Sequence, residues 1–191
     1  RPTVFCAVPT LFAAMLASPD LQRSDQVAMG VSTCAGGALA ADMGRGFTVR
    51  PLDEAEMQET GAILSSLECL ALQLSGAIPP DRLARLGEID RELAGTRGDP
   101  SRCIALDEEW HLTLLQGCPN RRLLSMISAL WQVPRRYMRV YMRDAGRVAL
   151  STQHHARIIE ALRRNDLETA AQRFRHHWER GVEELSAWIA R

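Results

Sequence analysis

From Asp53 onward the apolar residues recur every three to four positions, the period of helices that bury one stripe. Asp53, with Glu56 three residues on, is a capping-box-like start, and Met57, Ile63, Leu64, Leu67, Leu70, Ala71 and Leu74 carry the stripe to Gly76. Pro79-Pro80 starts a second helix through Leu83, Leu86, Ile89 and Leu93, closed by Gly95. Gly98, Asp99 and Pro100 lead into a third, which stops near Gly117-Cys118-Pro119. Asn120 caps a long fourth through Leu123, Ile127, Leu130 and Tyr137 to Met142, and Pro134 inside it is predicted to kink or break it. A fifth ends at Arg163-Arg164-Asn165, and a sixth runs from Asp166 to the C-terminus. Six to seven such helices on short loops predict a mainly α fold, an antiparallel bundle over residues 53–191.

The first 43 residues follow another pattern. Thr3 to Val8 is a β-branched and apolar run, Thr10 to Leu16 reads as a short helix, and Val27 to Cys34 is a second apolar run ending before Gly36-Gly37. This strand and helix alternation is that of a parallel α/β sheet, but it is too short to cover both faces of one, so it reads as an incomplete segment. Residues 44–52 link it to the helices.

Composition narrows the function. Arginine and acidic residues balance, 23 against 23, so net charge gives no sign of a nucleic-acid-binding surface. All the basic residues are arginine; with no lysine, lysine-dependent chemistry is excluded. Cys6, Cys34, Cys69, Cys103 and Cys118 are scattered and never spaced C-x-x-C, which argues for a reducing compartment without a disulfide framework or zinc ribbon. The apolar runs are too short to cross a bilayer and no signal peptide opens the chain, so a soluble, cytoplasmic protein is expected, with no membrane partner.

The histidines carry the candidate chemistry. Four of the five fall between Gln153 and Trp178 as His154-His155 and His176-His177; the fifth, His111, follows Asp107 by one helical turn. Residues at i and i+4 share a helix face, so Asp107 and His111 can point at one atom. Adjacent helical residues diverge by about 100°, so only one of each histidine pair can face a given core. His155 shares a face with Ile158, Ile159 and Leu162, and His177 lies on the stripe of Ala170, Phe174, Leu185 and Trp188. His176 is bracketed by Gln172, Arg173, Glu179 and Arg180 and reads as solvated; His154 has Ile158 and Ala161 on its side, but Arg157 too. One inward Asp and three inward His suit a divalent metal ion, zinc foremost, with nickel, manganese or iron as alternatives, and leave coordination sites open. Two other readings use the same residues: a metal-dependent hydrolase with Glu108 or Glu109 as base, and a core in which Asp and His satisfy one another without metal. Glu108 and Glu109 adjoin Asp107 and should face away from such an ion.

Two resemblances follow from these residues. Arg1-Pro2-Thr3-Val4-Phe5 through Val8-Pro9-Thr10-Leu11, then Met15 to Asp20 and Ser32 to Leu39, resembles an internal piece of AMP-forming acyl-CoA ligases, the benzoate-CoA ligases especially, over about a quarter of the chain. It departs at Gly37 and Ala40, where that family has glutamate and proline. A chain without lysine cannot supply that family's catalytic lysine, so no ligase activity is implied. Over the rest, Asp107-Glu108-Glu109-Trp110-His111, Cys118-Pro119-Asn120, His155 to Ile158 with Glu160-Ala161-Leu162, then Asp166, Ala170 and His177, resembles the FCD effector domain of FadR-type GntR transcriptional regulators. Gly44 to Leu52 is similar to the end of the DNA-binding wing that precedes it.

This second resemblance places the metal ligands on Asp107, His111, His155 and His177. It implies a homodimer that binds a small carboxylate metabolite near or on the metal and is not an enzyme. It implies DNA binding only if a winged-helix domain is supplied, since no such helix pair stands before Gly44. Leu64 occupies a position where many members carry arginine, and Asn165 one where glycine is usual. Arg135, Arg136, Arg139, Arg143 and Arg147 form a basic run that is either a solvated face or turns one or two members inward to a carboxylate. Arg139 and Arg143, with Asn120, are the candidate ligand-binding residues.

Overall fold

The computed structural model describes residues 39–42, 46–49, 52–96 and 98–189. The strands expected at 3–8 and 27–34 and the helix at 10–16 lie outside the described residues. The chain divides into two compact units, Arg1–Pro51 and Leu52–Arg191. In the first, β1 (Leu39–Asp42) pairs antiparallel with β2 (Gly46–Val49), Leu39 opposite Val49 and Asp42 opposite Gly46. This hairpin joins residues on both sides of the boundary expected between Met43 and Gly44.

The second unit is a bundle of seven helices among the described residues: α1 (Glu54–Ser75), α2 (Pro80–Gly95), α3 (Pro100–Leu115), α4 (Arg121–Leu130), α5 (Gln132–Tyr141), α6 (Ala145–Arg163) and α7 (Leu167–Ile189). Side-chain caps fix most of the starts, because the first backbone N–H groups of a helix have no partner within it. Asp53 accepts from Ala55 N at 2.9 Å, Asp99 from Arg102 N at 3.0 Å, Asn120 from Leu123 N at 3.1 Å and Asp144 from Gly146 N at 2.7 Å. Between α6 and α7 the chain turns at Asn165 with φ of 58°, the left-handed conformation asparagine tolerates best after glycine.

The long fourth helix of the sequence reading is two helices, and the break comes at Trp131 rather than at Pro134. Proline has no N–H to give the carbonyl four residues back, and its ring crowds that carbonyl. For Pro134 that residue is Leu130, where α4 ends. The helical bonds resume with Arg135 N to Trp131 O at 3.3 Å.

Helix α7 packs along α1 and α6, α2 against α3 and α6, and α5 against α1 and α3. Their shared interior holds Leu64, Leu72, Leu86, Leu106, Trp110 and Phe174, all fully buried. On the face of α1 that meets α7, Gly61 has no side chain, and a Cβ there would overlap the Val182 side chain. Among the described residues no helix is long and apolar enough to cross a membrane.

Candidate metal centre

Helices α3, α6 and α7 each bring histidine to one point in the bundle. His111, His155 and His177 offer ring nitrogens that all lie within 4.8 Å of one another. His111 Nε2 and His177 Nε2 are 3.3 Å apart. Two nitrogens bound to one zinc at the usual length in tetrahedral geometry would stand about 3.3 Å apart. Asp107, one turn before His111 on α3, closes the group, with Oδ2 4.0 Å from His111 Nε2 and Oδ1 3.7 Å from His155 Nε2. Ser151 on α6 donates to Asp107 Oδ1 at 3.0 Å and holds the carboxylate in place.

Behind each of two histidines stands a further carboxylate that the sequence reading missed. Glu68 on α1, wholly buried, lies 2.8 Å from His111 Nδ1 and accepts from Trp131 Nε1 at 2.6 Å and Trp178 Nε1 at 2.8 Å. Indole nitrogens only donate, so both oxygens of Glu68 act as acceptors and the His111 proton belongs on Nδ1. That leaves the Nε2 lone pair facing the centre. Asp90 on α2 stands 2.7 Å from His155 Nδ1 in the same relation. Carboxylates behind metal-ligating histidines orient the rings and raise their basicity.

The electrostatics match. Burial, then the charges of His111 and His154, holds the half-buried His177 well below the ordinary histidine range; burial, then His177 and His111, does the same to His155. Both rings are neutral and have lone pairs to offer at pH 7. Burial alone would also lower His111, but the charge and hydrogen bond of Glu68 outweigh it and raise its pKa. Burial raises the Asp107 carboxyl, against the pull of His111 and Ser151, and burial with the charge of Asp107 pushes Asp90 up to about 8. Asp90 and Asp107 are thus costly to ionise here without a compensating positive charge beside them. A divalent cation between the Nε2 atoms and Asp107 would supply it. His155 shows the need most directly: with Nδ1 held by Asp90, its Nε2 is buried and meets no hydrogen-bond partner. Protein residues therefore fit a metal of nitrogen and oxygen preference.

The neighbours of the site histidines separate. His154 is buried beside His177, with ring centroids 5.8 Å apart, while His176 is more than half exposed. Burial, then His176 and Arg157, lowers the His154 pKa. Trp110 stacks on His155 at 3.7 Å between ring centroids and fixes its plane.

A cavity of about 40 Å³ adjoins the centre and runs along α7 from His177 past Gly181 to Leu185. None of Asn120, Arg139 and Arg143 lines it. The Asn120 side chain caps α4 and is exposed, Arg143 is exposed beyond the end of α5, and Arg139 is half-buried on α5. Two members of the basic run are engaged with acids: Arg135 pairs with Glu108, and the buried Arg136 lies 3.3 Å from Glu56. Arg180, which sequence reasoning placed only as a neighbour of His176, is the arginine in the cavity wall. Glu109 pairs with Arg85 at 2.6 Å, so with Glu108 held by Arg135 neither glutamate stands as a base beside the histidines.

Comparison with known proteins agrees with this architecture. E. coli McbR/YncC superposes with a TM-score of 0.70 at 19% identity, over 85% of this chain and 82% of that one. A transcriptional regulator GntR from Rhodococcus sp. RHA1 gives 0.68 at 20%, over 93% and 84%. A GntR-family transcriptional regulator from Pseudomonas syringae pv. tomato gives 0.58 at 20%, over 80% and 65%. At these identities the likeness is one of fold. The benzoate–CoA ligase of Thauera aromatica is 42% identical over 50 residues, which are 26% of this chain and only 10% of the ligase. The FCD domain profile matches residues 59–180, which include Asp107 and all three converging histidines, and the chain belongs to the FCD domain family.

Proposed function

We propose that residues 53–191 are the effector-sensing domain of a GntR-type transcriptional regulator, holding a divalent metal ion through Asp107, His111, His155 and His177 and binding a small carboxylate at the ion. The observation that carries this reading is the buried His155 Nε2, which has no hydrogen-bond partner while Asp90 holds the other ring nitrogen. In a metal-free core of mutually satisfied groups that nitrogen would be paired. One Asp and three neutral His leave a divalent ion a net positive charge, so its open positions attract an anion into a largely apolar cavity.

Glu68 and Asp90 act from behind, fixing which nitrogen of each ring carries the proton. Zinc is the first choice for this donor set. Signalling requires a carboxylate to bind one arrangement of a homodimer better than another, with a winged-helix domain reading DNA. The hairpin Leu39–Val49 suits the wing of such a domain.

Thermal unfolding after chelation, with and without added zinc, tests the site. At one hundred times its Kd a ligand of the folded state adds about 2.7 kcal/mol, or roughly 5–10 °C in a domain of this size. A rise of that order, absent in His155→Ala, is the expected result. An unfolding temperature indifferent to zinc, nickel and manganese would contradict the reading.

A further inference from the structure

We infer that the cavity beside the metal selects a monocarboxylate with a compact apolar body, and that Gly181 sets how large that body can be. The inference rests on the proposed metal site and concerns the space beyond it. Away from the ligand histidines the wall is formed by Met57, Pro134, Met138, Val182 and Leu185, which offer nothing to a second charge. Of the polar groups at its edge, Arg180, Tyr141 and Ser151 are already engaged, and burial lowers the pKa of His154 and so keeps it uncharged. Arg180 Nη1 lies 2.6 Å from Glu183 and Nη2 3.6 Å from Glu184, and the Tyr141 hydroxyl donates to Glu184 at 3.2 Å. Ser151 donates to Asp107. A divalent metal held by one aspartate would thus be the unneutralised positive charge in the cavity, enough to balance one carboxylate.

Gly181 lies one turn beyond His177 on the same face of α7. A glycine inside a helix costs about 1 kcal/mol relative to alanine, yet no heavy atom stands within 4 Å of where its Cβ would be. Packing therefore does not require the glycine here, in contrast to Gly61. What the missing side chain leaves is open space in the cavity wall. Met57 and Met138, unbranched and flexible, let that space adapt to a ligand's body.

The test is calorimetric titration of the zinc-loaded protein with acetate, propionate, butyrate and succinate, with Gly181→Ala and Gly181→Leu alongside and zinc content measured in each sample. Affinity should rise from acetate to butyrate by up to about fourfold per methylene. Succinate, a four-carbon chain like butyrate but with a second carboxylate, should bind at least about tenfold more weakly, since its far charge is buried without a partner. Gly181→Leu should abolish the advantage of butyrate over acetate, and Gly181→Ala should reduce it, with zinc content unchanged. Succinate binding as tightly as butyrate, or a chain-length series untouched by both variants, would overturn this inference while leaving the metal site standing. Loss of zinc or of all carboxylate binding in the wild type would overturn the inference together with the reading beneath it.

Discussion

His111 Nδ1 sits 2.8 Å from Glu68 Oε2, and that contact ties an imidazole of the candidate centre on α3 to a wholly buried acid on α1. Trp131 and Trp178, which line the cavity, donate to the same carboxylate. One side chain thus joins the centre to the wall against which a ligand would lie. Glu68→Gln keeps the shape but puts an NH2 group where one donor now points. Zinc affinity, measured by competition with a chelating dye, should fall about 10- to 100-fold. An unchanged affinity would mean that Glu68 is structural only.

Asp90 gives the metal-free protein a signature in pH. Its pKa of about 8 in the folded state lies above the unfolded value near 3.9, so the folded state holds the proton more tightly. The resulting stabilisation is fully present below about pH 4 and is lost as pH rises through about 8. Asp90→Asn removes this dependence. Denaturant unfolding of the two chelated proteins should show the variant gaining on the wild type as pH rises from 5 to 8, by on the order of a few kcal/mol. A difference constant over that range would contradict the assignment.

On the proposed function, His111 should set the pH dependence of metal affinity. Its raised pKa means that part of the metal-free population carries a proton on Nε2 at pH values where His155 and His177 are already neutral. Metal must displace that proton. Zinc affinity should therefore weaken as pH falls through the raised pKa of His111, approaching about tenfold per pH unit, and strengthen to a plateau above it. For folding the sign is reversed: the stabilisation from His111 is present below about pH 6.5 and lost as pH rises through its folded pKa. A zinc affinity flat from pH 6 to 8 would count against this.

Gly61 on α1 faces Val182 on α7 with no space for a side chain. Gly61→Ala should destabilise the domain by about 1–3 kcal/mol despite its better helix propensity, because the new methyl overlaps Val182. Val182→Ala in the same chain should recover much of the loss, which chemical denaturation of the double variant would show. Failure to recover would place the strain elsewhere.

Periodicity carried most of the fold because helix stripes and caps are local. Asp53, Asp99 and Asn120 mark helix starts in the sequence and cap them in the structure. Pro134 announced a break, but its position depends on the carbonyl four residues back, which moves it to Trp131. At the site, Asp107 and His111 were legible as an i, i+4 pair and His155 and His177 as residues on apolar stripes. Glu68 and Asp90 were not: each reaches its histidine from another helix, 43 and 65 residues away in sequence, and a single acid on a helix face has no local signal of burial. One cue existed for Glu68, since Leu64, Cys69, Ala71 and Leu72 around it are all apolar. Asn120, Arg139 and Arg143 do not line the cavity, because residue type and proximity in sequence to a motif say nothing about its wall, which Arg180 joins through its position one turn from His177.

Metal content per chain bears most directly on the central claim, measured by elemental mass spectrometry on untagged protein purified without chelator. The account predicts close to one divalent ion per chain, lost in His155→Ala and in His177→Ala, with both variants still helical by circular dichroism. A wild-type protein that holds no ion even after exposure to zinc, nickel and manganese would contradict it.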